Sequence, residues 1–141
     1  MSALEELFDF DGTTAALGQV MGRLNWDQET VMPPGAADQR AEEIAALETV
    51  LHARRQDARI GDWLERATPE TASDGARLAL LRRDFERAQR IPSDLAAELA
   101  RLASRGQGLW VAARADEDLA SFLPVLAEIV ARKREAASAL A

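Results

Sequence analysis

The sequence predicts an all-α fold, an antiparallel bundle of five to six helices forming a single domain over residues 1–141. Three observations carry this. Apolar residues recur at steps of three and four along most of the chain, the spacing of one helix face. No period-two strand pattern and no Asn-Gly hairpin turn is present. The breaks between apolar stretches are short, which favours antiparallel neighbours. The chain is also rich in alanine and arginine, both strong helix formers, although a GC-rich coding genome would produce the same bias. Only Lys133 among its 17 basic residues is lysine.

The first helical region runs to near Trp26 and is interrupted by Pro33, Pro34 and Gly35. A second helix spans about Ala36 to Gln56, with Ala41, Ile44, Leu47 and Leu51 on one face. A short third helix covers Ile60 to Arg66. Thr68-Pro69 reads as a cap followed by a first-turn proline. Thr71 with Asp74 offers a second start for the same fourth helix. That helix carries Leu78, Leu81, Phe85 and Ala88 and ends near Arg90, because Ile91 precedes Pro92 and avoids the α region. Ser93 and Asp94 open the fifth helix as cap and first-turn acid. Its stripe is Leu95, Leu99, Leu102, Gly106, Leu109 and Ala113. Asp116, Glu117 and Asp118 place three acids at the next N-terminus. The last stripe is Leu119, Phe122, Leu126, Ile129 or Val130, and Lys133. Pro124 inside it is expected to kink the helix or to mark a new first turn.

Composition excludes several functions. Apolar residues make up 48% and charged residues 29%, a globular balance. The net charge of −7 is not the basic footprint of a nucleic-acid binder. No apolar run approaches a membrane span, and the first residues lack a signal-peptide pattern. The absence of cysteine removes disulfides, thiolate metal sites and cysteine nucleophiles. A cytoplasmic protein without nucleic-acid or membrane partners is expected.

Asp9-Phe10-Asp11-Gly12-Thr13 spells D-x-D-G-T, the first motif of the haloacid dehalogenase phosphatases. That chemistry needs the first aspartate at the tip of a buried strand. Here Leu4, Leu7 and Phe8 are helix-spaced and two glutamates occupy the would-be strand. A surface turn or loosened helical stretch is expected instead.

The stretch Leu17 to Pro34 is more informative. Trp26-Asp27-Gln28-Glu29-Thr30, followed by Met32-Pro33, resembles the W-D-x-x-T-x-M-P signature of the carboxypeptidase Taq family of zinc metallocarboxypeptidases. Arg40-Ala41 resembles that family's Arg-Ala pair entering the second helix, and Leu47 and His52 fit its pattern there. Ile91-Pro92, Trp110-x-x-Ala113-Arg114, Phe122-x-Pro124-x-Leu126 and Arg134-Glu135-Ala136 continue the series, so the similarity spans nearly the whole chain. The Asp9–Thr14 stretch departs from it, because the family has a continuous polar helix there.

The resemblance implies an N-terminal helical domain, natural or truncated, of an enzyme that removes C-terminal residues from peptides. In the family these helices wall or cap a substrate groove, and the enzymes are homodimers. Zinc is held by H-E-x-x-H and a downstream glutamate, none of which occurs in these residues. His52, the one histidine, stands one turn after Glu48. The pair falls short of the three protein ligands of a catalytic zinc site, so a surface or interface histidine making local hydrogen bonds is expected. The chain alone is therefore expected to bind no cofactor and to lack catalytic residues. Trp26, Asp27, Thr30, Met32, Pro33, Arg40, Trp110 and Arg114 are signature positions with structural roles, some of them facing the groove. Trp26 is expected to pack at the end of helix one, with Asp27 or Thr30 satisfying backbone groups at the turn. The arginine groups Arg54-Arg55-Arg59 and Arg82-Arg83-Arg87-Arg90 read as solvated faces paired with nearby acids. An alternative is a free-standing helical module acting through dimerisation.

Overall fold

The computed structural model describes residues 1–141 and contains helices and turns only. Six α-helices are joined by short connections: α1 Ala3–Thr30, α2 Ala37–Arg55, α3 Ala58–Arg66, α4 Ala72–Arg90, α5 Ser93–Ala115 and α6 Leu119–Leu140. A single 3-10 turn, Pro34–Ala36, precedes α2.

Local chemistry sets the helix ends. Ser2 and Glu5 form a reciprocal capping box at the start of α1. The α1 helix passes Trp26 and continues to Thr30, because nothing breaks it before Pro33 and Pro34. It also runs unbroken through Asp9–Thr14, so the D-x-D-G-T residues form neither a turn nor a strand tip. Gly12 lies mid-helix with open space where its side chain would be. Thr71 and Asp74 form the capping box of α4, so that helix starts there and not at Thr68-Pro69. Pro92 occupies the cap position of α5. Ser93 is already helical and donates instead to the Gln56 side chain at 3.3 Å. Asp118 caps α6 by accepting from the Ser121 amide. Pro124 sits at the sixth residue of α6, which continues on both sides of it.

Cross-links between helices show that the neighbours run antiparallel. On α1 and α2, Asp27 pairs with Arg40 and Phe10 with Arg54. On α2 and α5, Glu42 pairs with Arg101 and Gln56 with Ser93. Gly61 faces Phe85 across α3 and α4. Gly106 of α5 faces Ile129 of α6 so closely that a methyl group there would lie 2.9 Å from Ile129 Cδ1.

Apolar burial concentrates in two places. At one end Leu7, Ile60, Trp63 and Leu64 form a cluster backed by Phe8, Phe10, Leu78, Leu81 and Phe85. Along the α2–α5 seam, Ala41, Ile44, Ala45 and Leu51 meet Leu95, Ala96 and Leu102. The small alanines let the two backbones approach. The expected α6 stripe is displaced. Phe122 and Ile129 are half-buried, whereas Leu119, Leu126 and Val130 are exposed, as is Leu109 of α5.

Candidate functional site

The turn between α1 and α2 gathers six of the eight signature positions. Two successive prolines remove two backbone donors and crowd the preceding turn, and the residue before a proline prefers an extended backbone. Met32-Pro33-Pro34 therefore ends α1 and turns the chain. The Asp27 carbonyl accepts from the Val31 and Met32 amides at 3.0 and 2.9 Å. Thr30 Oγ1 donates to the Trp26 carbonyl at 2.7 Å. The backbone is thus satisfied by the Asp27 carbonyl, which leaves the Asp27 carboxylate free for another partner.

That partner is Arg40, in the first turn of α2. Its Nη2 donates to Asp27 Oδ2 at 2.7 Å, its Nη1 to the Leu24 carbonyl at 2.7 Å and its Nε to Glu43 at 3.0 Å. One rigid guanidinium fork thereby ties the last turns of α1 to the start of α2. The Asp27 hydrogen bond, more than any other contact, raises the Arg40 pKa above its ordinary value. The Arg40 side chain is only 13% exposed.

Trp26 does not pack at the helix end; it is 64% exposed. Met32 lines a recess of about 530 Å³ with Pro34, Ala37, Leu109, Val111 and Ala112. Trp110 and Arg114 line a separate recess of about 430 Å³, where α5 turns into α6 beside Leu119 and Phe122. The eight positions therefore fall into two groups. Glu117, in that second recess, has φ of 53°, the left-handed region. It ends α5 in a Schellman arrangement, with the Glu117 amide bonding the Arg114 carbonyl and the Asp118 amide the Ala113 carbonyl.

Three polar links carry no signal in the sequence. Gln28 Nε2 donates to the Ser104 carbonyl at 2.8 Å, and Ser104 Oγ donates to Gln28 Oε1 at 2.9 Å. Both residues are buried. Arg54 donates to Thr14 Oγ1 and the Phe10 carbonyl, with its guanidinium 4.0 Å above the Phe10 ring. Arg54 is thus an internal strut and not part of a solvated face. Asp11 pairs with Arg77 at 2.7 Å. No local signal marked these pairs, because their members lie 40 to 76 residues apart.

His52 is buried, and its partner is distant in sequence: Nε2 lies 2.7 Å from the Ile91 carbonyl. A carbonyl only accepts, so this nitrogen carries the proton. Gln56 reinforces the same junction by donating to the Ala88 carbonyl at 2.8 Å. Glu48 is engaged by Arg55 at 3.0 Å. His52 and Glu48 are thus committed to protein partners, and no three His, Asp or Glu side chains converge in a metal-binding group.

The family model for the carboxypeptidase Taq (M32) metallopeptidases matches residues 7–141. Thermostable carboxypeptidase 1 of Thermus thermophilus is 37% identical over 145 residues, covering 99% of this chain and 28% of its own length. Carboxypeptidase 1 of Bacillus subtilis is 22% identical over 130 residues, 89% of this chain and 26% of the relative. The BsuCP crystal structure shares the fold at a TM-score of 0.91 and 20% identity, over 97% of this chain and 28% of that one. The structure of CHT aligns at a TM-score of 0.67 and 26% identity, over 99% of this chain and 29% of that one. The chain spans little more than a quarter of the length of the relatives it matches.

Proposed function

The chain belongs to the carboxypeptidase Taq (M32) metallopeptidase family, and we propose that it forms the N-terminal helical wall of a groove in which a zinc metallocarboxypeptidase removes C-terminal residues from peptides. The observation that carries this reading is the family match over residues 7–141, anchored on the Trp26–Pro33 turn that Arg40 clamps.

By itself the chain is a scaffold without peptidase chemistry. Its single histidine is committed to a backbone carbonyl, and its turn residues are committed to holding helices together. Zinc belongs to residues that relatives carry outside the matched quarter. The partner is a catalytic portion of the same family, and the assembly is a homodimer. The setting is the cytoplasm, which a cysteine-free chain suits. No helix is long and apolar enough to cross a membrane.

The test is to incubate the purified chain, with zinc and with a chelator, with N-blocked peptides and to measure release of the C-terminal residue. The expected result is no release above the chelated control. Zinc-dependent release would overturn the scaffold reading.

A further inference from the structure

The last helix is apolar on two sides and covered on one. Its inner side, with Phe122, Val125 and Ile129, lies on α5 where Gly106 permits close approach. A second side, rotated by roughly 100° at 100° per residue, carries Leu119, Leu123, Leu126 and Val130 at steps of four, three and four. They are 66, 49, 38 and 39% exposed, and α6 has no buried residue. A helix that is apolar well beyond one face is ordinarily buried.

The surface area points the same way. The chain exposes 8768 Å². A monomeric globular protein of 15.4 kDa exposes roughly 7,200 Å². The excess of roughly 1,600 Å² is about twice one partner's share of a standard interface and reaches the obligate range.

Resting on the functional reading above, we propose that the Leu119–Leu123–Leu126–Val130 face of α6 is the seam on which helices of the metallopeptidase's catalytic portion dock. Relatives carry nearly three-quarters of their length outside the region this chain matches, enough to bury such an area. The line of aliphatic residues at helical spacing fits another helix laid along it. Ala127 and Ala131 beside that line let a second backbone come near.

The experiment joins this chain, in place of the 145 residues it matches, to the rest of Thermostable carboxypeptidase 1. Leu123→Glu/Val130→Glu is then made in that chimera and in the free chain. Leu80→Glu, on an exposed position of α4, is the control. The free chain is expected to sediment as a monomer, with its Tm moved by less than about 2 °C. The chimera is expected to lose more than about 5 °C through buried, unpaired carboxylates, while Leu80→Glu changes neither. A chimera indifferent to the double substitution overturns the proposal and leaves the functional reading standing. A free-chain dimer that the substitution dissociates overturns it in favour of a second copy. An unsubstituted chimera that melts as two independent units overturns the functional reading, and the proposal with it.

Discussion

Arg40 and Asp27 lie 2.7 Å apart across the α1–α2 turn, and the same guanidinium holds the Leu24 carbonyl. Two helices are joined by one planar fork whose side chain is largely shielded from water. Lysine cannot reproduce this, because an ammonium lacks the fixed spread of donors.

Arg40→Ala is therefore expected to destabilise the chain by about 1–2 kcal/mol in urea denaturation, and Arg40→Lys by nearly as much. Asp27→Asn should cost less, because the carboxylate is partly exposed and the Leu24 bond survives. Equal stability of Arg40→Lys and the parent would show that charge alone suffices.

Gln28 and Ser104 exchange hydrogen bonds in a buried site between α1 and α5. Each single change, Gln28→Leu or Ser104→Ala, is expected to cost about 1–3 kcal/mol by leaving a buried polar group unpaired. The double variant should cost less than the two added together, with a coupling of about 1 kcal/mol. Strict additivity in the double-mutant cycle would deny the coupling.

Glu117 holds φ of 53° at the end of α5, where a side chain meets the following carbonyl. Glu117→Gly should stabilise the chain by about 0.5–1 kcal/mol, visible as a higher Tm. Glu117→Val should do the reverse, since a β-branched residue tolerates this backbone least.

Acid should weaken the fold. The Ser2 backbone amide and hydroxyl hold Glu5 below its ordinary value of 4.5. Arg101 does the same for Glu42, and Arg59 for Asp57. A carboxylate with a depressed folded pKa contributes stability that is present above its unfolded pKa. That stability is lost as pH falls through the folded value. Thermal melts should thus be level with respect to these groups from pH 7 to about 5 and fall below about 4.5. Glu42→Gln should shrink that fall, and an unchanged acid limb would remove Glu42 from the account.

Much of the architecture was legible in sequence. Five of the six helices had at least one end marked by a local rule, and the family signature around Trp26 could be read from residues alone. The misread ends have physical causes. At Thr68-Pro69 and Thr71–Asp74 two starts competed, and the reciprocal capping box won because it satisfies two backbone donors at once. At Asp9–Thr14 a motif suggested a turn, yet the Arg54 and Arg77 struts lock that stretch into helix.

The sequence by itself determined the helices, the Pro33-Pro34 turn and the family, because capping, helical period and proline geometry act over a few residues. Tertiary structure alone decided which apolar residues are covered, that His52 meets Ile91, and that Gln28 meets Ser104. It also placed Leu119 and Val130 outside while Ile129 lies against Gly106. Helical spacing shows that a face is apolar; what covers that face depends on contacts between residues distant in the chain, which no local pattern encodes.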